Sequence, residues 1–134
     1  MNVQKVVLYG GLLLLLSCLI TVVYRMFAGK STTDGQVHAN AVYIVVAEWC
    51  PHCQRAEPEF KRFTKLMRAS YPDVHVQTID TASASRGEEK VVKELGVRGF
   101  PTVVFTDGSK APRVYSGART AGAMMSYARQ FFGR

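Results

Sequence analysis

The longest charge-free stretch of the chain is residues 6–24, VVLYGGLLLLLSCLITVVY. Nineteen residues of helix span about 28 Å, close to the ~30 Å hydrocarbon core of a bilayer. Lys5 and Arg25 bracket the run, and Tyr9, Tyr24 and Phe27 fall where aromatic side chains anchor at membrane interfaces. The pattern predicts one N-terminal transmembrane helix within residues 1–28. A cleaved secretory signal is the rival reading. Its apolar region is shorter and ends at a small-x-small site, whereas Tyr24-Arg25-Met26-Phe27 follows here. Residues 29–40 are polar, with Ser31, Thr32, Thr33, Asp34 and Gly35 in succession, and read as a flexible tether.

At residue 41 the pattern changes to short elements. Residues 41–47 (AVYIVVA) form a nearly continuous, β-branched apolar run, the signature of a strand buried on both faces. A helix is predicted from there to about Ser70, with Phe60, Phe63 and Met67 as a core-facing stripe, Lys61, Lys65 and Arg68 on another, and Pro58 kinking its start. Residues 74–79 read as a second strand. Residues 88–95 read as a short helix with Val91, Val92 and Leu95 inward, stopped by Gly96. Residues 101–106 (PTVVFT), the turn Asp107-Gly108 and residues 113–115 predict a hairpin. Thr120 caps a last helix carrying Met124, Tyr127 and Phe131. The order β-α-β-α-β-β-α over residues 41–134 predicts an α/β, three-layer domain with a central mixed sheet of about four strands and helices on both faces. Strands joined by helices are expected to run parallel, with the hairpin adding an antiparallel edge.

The formal net charge is +7, yet no basic cluster with interleaved aromatics occurs, so nucleic acid is not needed as a partner. A basic surface is either simply solvated or placed beside anionic lipid headgroups. Three cysteines in 134 residues are too few for a disulfide scaffold. Cys18 lies in the apolar run and reads as a small lipid-facing residue. Cys50 and Cys53 bracket Pro51-His52 at the predicted strand-to-helix junction.

Thiol–disulfide exchange needs an accessible thiolate and a second thiol close enough to resolve the mixed disulfide. At a helix N-terminus the free N–H groups and the dipole favour the Cys50 thiolate, while Cys53 sits one turn inside. His52 can add a hydrogen bond or a positive charge, and Trp49 can shield one flank. Stabilising the thiolate stabilises the dithiol and makes the disulfide the stronger oxidant. Zinc lacks ligands: there is no second CxxC, and His38, His52 and His75 have no useful spacing. No metal or cofactor is called for. A structural disulfide closing so small a ring adds little stability.

From Ala41 onward the chain resembles the thioredoxin superfamily. The matching segments are AEWCPHC at residues 47–53, Pro58 five residues on, GVRGFPTVVF at residues 96–105 and YSG at residues 115–117. CQRAEPEF is most similar to the disulfide-isomerase version of this helix, and the Pro-His pair is of the DsbA type. The resemblance implies a cis Pro101 facing the two cysteines, a backbone at Phe100 that pairs with an extended substrate, and Trp49, Phe100 and Pro101 as substrate-binding residues. It also implies Cys50 as nucleophile and Cys53 as resolving thiol, flanked by Pro51 and His52.

Two departures stand out. The family's N-terminal β-α unit is missing or reduced to the tether. Its buried carboxylate, six residues before the first cysteine, is Ile44 here, and the lysine that partners it is Val76. Losing both members together is tolerable where losing one is not. The expected consequence is a slower proton relay at Cys53, or one through water, Glu48 or His52.

The function implied is a membrane-tethered thiol–disulfide oxidoreductase acting on proteins, oxidase or isomerase rather than reductase. The alternative is a non-enzymatic component of a membrane or virion-like complex, with an unknown membrane-complex partner. The flanking charges are nearly tied and leave topology open. Redox chemistry of this kind places the domain in an oxidising space, such as periplasm or a lumen, with the N-terminus cytosolic.

Overall fold

The computed structural model describes residues 2–28 and 35–133, which fall in two compact units, Met1–Thr32 and Thr33–Arg134. The first unit contains α1 (Val3–Ala28), whose stretch Val3–Val23 is long and apolar enough to cross a membrane by length and composition; a signal sequence meets the same criterion. Leu8, Leu12 to Leu16, Leu19 and Ile20 of α1 are all exposed. Its hydroxyls bond inward, Ser17 Oγ donating to Leu14 O at 3.0 Å and Thr21 Oγ1 to Cys18 O at 2.8 Å. That leaves no side-chain donor of these two residues needing water.

The second unit runs β1 (Asn40–Val46), α2 (Pro51–Ser70), β2 (His75–Asp80), α3 (Arg86–Glu94), β3 (Thr102–Asp107), β4 (Arg113–Val114) and α4 (Ala121–Phe132). The sheet order is β2-β1-β3-β4. Period-two alternation along β1 divides the core. Val42 and Ile44 meet Phe60, Phe63 and Met67 of α2 and Met124 of α4, while Ala41, Tyr43 and Val45 meet Val91 and Leu95 beside α3. Helices therefore cover both faces of the predicted mixed sheet. Pro58 lies inside α2, which runs through it as one element.

One strand direction differs from the expectation. β1 and β2 are parallel, but β3 is antiparallel to β1, with Val45 opposite Thr102 and Asn40 opposite Asp107. The chain re-enters the sheet at the end where it left, Ile79 of β2 and Thr102 of β3 both standing opposite Val45. A strand buried on both faces carries the same apolar pattern in either direction, so the pattern does not encode this choice.

Residues 29–34 of the expected tether lie outside the described residues. Its last part is docked: Val37 packs on the α3-side core, the His38 N–H donates to Tyr43 Oη at 2.8 Å, and the His38 and His75 rings stand 4.1 Å apart. The Asp107-Gly108 turn is built as read, with Gly108 at φ +71 where a Cβ would meet Ala39 at 2.8 Å.

Candidate active site

The site is made where β1 hands the chain to α2. Val46 O is held by Thr81 N and Thr81 Oγ1 at 2.9 and 3.1 Å. Asp80 Oδ1 accepts from Glu48 N at 3.1 Å, and Glu48 O accepts from Gln54 Nε2 at 2.8 Å. Cys50 N closes a turn onto Ala47 O at 2.9 Å. Cys50 is then the N-cap of α2, in extended backbone at φ −84 and ψ 116. Pro51 occupies the first turn, where its missing N–H costs nothing.

This geometry makes the two thiols unequal. The Cys50 thiol is held below its usual range, first by the Cys53 backbone N–H, then by the Cys53 thiol, with smaller help from the His52 N–H and the Arg119 charge. Burial pushes the Cys53 thiol up, and proximity to Cys50 adds to it. Both cysteines are free thiols and almost wholly covered, at 6% and 5% exposure. They share a small cluster with Ala47 and Phe100.

The Phe100–Pro101 bond is cis, and the Cys50 thiol donates to Phe100 O at 3.8 Å. Residue 100 of the β3 segment therefore reaches residue 50 across the sheet end. Trp49 is 69% exposed and meets Phe100 edge-on, ring centroids 6.0 Å apart. Phe100 is half-buried and touches both the α3-side core and the cysteine cluster. Gly117 lies against Tyr115, whose phenol donates to Ala118 O at 2.9 Å; a Cβ there would run into that ring.

Among the expected site residues, the structure brings Cys50, Cys53 and Phe100 together, with Trp49 and the cis bond to Pro101 alongside. The His52 ring is engaged elsewhere: Arg55 Nη2 donates to His52 Nδ1 at 2.8 Å, and what His52 offers Cys50 is its main-chain N–H. Ile44 and Val76, the apolar pair standing where the family carries its acid and lysine, pack in one core. They belong to neighbouring rows of the β1–β2 ladder, where Ile44 faces Thr78 and Val42 faces Val76. A cavity of about 850 Å³ opens beside Cys53, lined among others by Val46, Phe60, Thr78 and Asp80. Among the described residues no group of three or more His, Cys, Asp or Glu could hold a metal ion.

Arg119 was not singled out from the sequence. It lies far from the cysteines along the chain, and its only signal is a cation just ahead of the Thr120 cap that opens α4. Packing of α4 on α2, fixed by Glu59 Oε2 accepting from Ala121 N at 2.6 Å, brings that position to the site.

A dithiol at a strand-to-helix junction, opposite a cis-proline loop, is the arrangement of the thioredoxin fold. The family model described as Thioredoxin matches residues 30–130, and the chain belongs to that family. It is 28% identical over 141 residues to a protein disulfide-isomerase of Medicago sativa, covering 92% of this chain and 27% of that protein. It is 35% identical over 98 residues to protein disulfide-isomerase 2-3 of Arabidopsis thaliana, covering 71% and 21% respectively. The chain thus spans about a quarter of the length of these relatives. In fold it is similar to the solution structure of the first thioredoxin domain of mouse protein disulfide-isomerase A4, at a TM-score of 0.55 and 24% identity, covering 80% of this chain and 67% of that one.

Proposed function

We propose that the chain is a membrane-tethered protein thiol–disulfide oxidoreductase working through Cys50 and Cys53. The observation that carries the reading is the unequal pair: a Cys50 thiol held down at the N-terminus of α2 and a Cys53 thiol pushed up behind it. In the oxidising direction a substrate thiolate attacks Cys50 Sγ of the Cys50–Cys53 disulfide, and Cys53 leaves as thiolate and takes a proton. The second substrate thiolate then attacks the substrate sulfur of the mixed disulfide and expels Cys50. Two electrons pass from the substrate dithiol to the protein pair, and another disulfide must reoxidise it. In isomerisation the Cys50 thiolate opens a substrate disulfide and is released when a different pair closes, with no net electron transfer. A stabilised Cys50 thiolate is the better leaving group in both.

Trp49, Phe100 and the cis Pro101 supply the shelf on which an extended substrate lies, and Phe100 biases substrate choice. The tether reading rests on α1: a helix with exposed leucines all along it needs an apolar surrounding. Residues 1–28 act as anchor, 29–40 as connector and 41–134 as catalytic domain, facing an oxidising compartment. The partners are proteins bearing cysteines.

The test is the reduction potential of the pair, measured on the full chain in detergent micelles equilibrated with glutathione buffers. A value of roughly −120 to −180 mV supports an oxidase or isomerase, and one near −270 mV a reductase with reversed topology. Absence of a reversible couple would sink the enzyme reading. It would favour the second reading, a non-enzymatic assembly component, whose motive is the apolar Ile44–Val76 core where the family places a proton relay.

A further inference from the structure

We infer that the site prefers protein substrates with an acidic side chain next to the reacting cysteine, received by Arg55 and Arg119. This rests on the redox reading above and adds a substrate class to it. A pocket of about 340 Å³ is lined by His52, Arg55, Ala56, Glu59, Arg119 and Thr120. It lies beside the first turn of α2, on the side toward the start of α4. The two guanidinium groups are exposed, and neither is ion-paired: the one salt bridge among the described residues joins Lys61 to Glu57. Arg55 spends one donor on His52 Nδ1 and forms no ion pair. The charge of Arg119 is felt at both Cys50 and Cys53, so it lies within electrostatic reach of the reacting sulfur.

Glu59 is the one acid in the pocket, and it is committed. Its Oε2 accepts the Ala121 N–H at 2.6 Å, at the N-terminus of α4, where the open N–H groups offset its charge. The pocket is therefore cationic. Two planar guanidinium forks suit a carboxylate better than any neutral group. The other flank of Cys50 is the apolar Trp49–Phe100 pair. A bound substrate strand meets an apolar wall on one side of its cysteine and two arginines on the other.

The experiment uses the full chain in neutral detergent, oxidised at Cys50–Cys53, and dithiol peptides differing only in flanking Asp, Ser or Lys. Each rate is divided by that peptide's rate with neutral bis(2-hydroxyethyl) disulfide, which removes the peptide's own thiol acidity. At low ionic strength, about 0.01 M, the Asp peptide should react about fivefold faster than the Ser peptide, the scale of exposed ion pairs. The preference should shrink toward unity near 1 M salt, where screening acts within about 3 Å. Arg55→Gln, which keeps a donor for His52, should lower the ratio. Arg55→Glu should turn it toward the Lys peptide, a reversal that a merely structural role would not produce.

Equal rates for all three peptides would overturn the inference and leave the redox function standing. No exchange with any peptide would remove both. If reduced glutathione, itself an anion and a thiol able to open the Cys50–Cys53 disulfide, were the one reactant slowed by Arg55→Gln, the pocket would serve that small molecule and the assignment to protein substrates would fall.

Discussion

Restoring the family's buried acid should cost this protein heavily, and restoring its basic partner as well should recover only part of the loss. Ile44 is fully buried in a core cluster with Val42, Phe63, Val103 and Phe105, whose only polar side-chain atoms are the phenol oxygens of Tyr71, Tyr115 and Tyr127. Ile44→Asp removes an apolar side chain worth about 2–5 kcal/mol with its cavity. It also leaves a carboxyl without a partner, adding about 1–3 kcal/mol even when protonated. A loss of about 3–8 kcal/mol is expected, a large part of the ~5–15 kcal/mol typical of a domain. Val76 is 7% exposed on β2, an edge strand, so Val76→Lys can run its amine toward solvent and should cost less, about 1–2 kcal/mol. Ile44 and Val76 are diagonal neighbours on one sheet face, within reach of each other when the side chains are long. The double variant should therefore recover about 1–3 kcal/mol relative to the sum of the single losses. Urea unfolding followed by far-ultraviolet circular dichroism of the full chain in detergent closes the cycle, with α1 as a constant background. A single-variant loss below about 1 kcal/mol would refute the dry apolar core. A coupling near zero would refute the proximity of the two positions.

Three further outcomes follow from the site and its frame. Cys53→Ser should accumulate mixed disulfides between Cys50 and substrate on non-reducing gels, and Cys50→Ser should abolish exchange; turnover surviving Cys50→Ser would remove the assigned nucleophile. Alkylation by a small neutral reagent should titrate Cys50 below the usual thiol range of about 8.5, with Cys53, read in the Cys50→Ser variant, following only at higher pH; coincident profiles would contradict the unequal pair. At α3, Ser85 Oγ accepts from Glu88 N and Glu88 Oε2 accepts from Ser85 N, a reciprocal cap, so Ser85→Ala should lose about 1 kcal/mol in urea unfolding. The Ser85 N–H also holds the Glu88 carboxyl below its usual range. That stabilisation is complete above the unfolded pKa of about 4.3 and is lost as pH falls through the folded value, so the deficit of Glu88→Gln, which removes the charge, should narrow in acid.

Much of the frame was legible because it depends on local signals. The run at residues 41–47 is apolar on both faces because β1 is covered by α2 and α4 on one side and α3 on the other. The Thr120 cap is visible because its hydroxyl is taken by Ala123 N, three residues on. What stayed hidden depends on where distant segments return. The direction of β3 is not written in the apolar pattern, which is the same for either direction. Arg119 becomes part of the site only after α4 docks on α2. The docking of Val37 and His38 was masked by polar neighbours in sequence, since tether and anchored segment share one composition. The His52 ring was expected at the thiolate, but a guanidinium three residues along the same helix competes for it.

The missing relay and the stabilised thiolate act on different quantities. The features that lower the Cys50 thiol are led by the main-chain N–H of Cys53, a donor that every sequence folding into this first turn must present. They set the equilibrium between dithiol and disulfide, and replacing the buried acid and lysine by Ile44 and Val76 leaves them in place. A proton acceptor near Cys53 changes how fast that buried thiol ionises, and so the rate of resolution, without changing the overall equilibrium. The 850 Å³ cavity beside Cys53 carries Asp80 and Glu48 on its wall and offers water a path to the sulfur. Narrowing it with Thr64→Phe should therefore slow release of the mixed disulfide while leaving the reduction potential where it was. A potential that moved with the rate would show that the cavity shapes the thiols themselves.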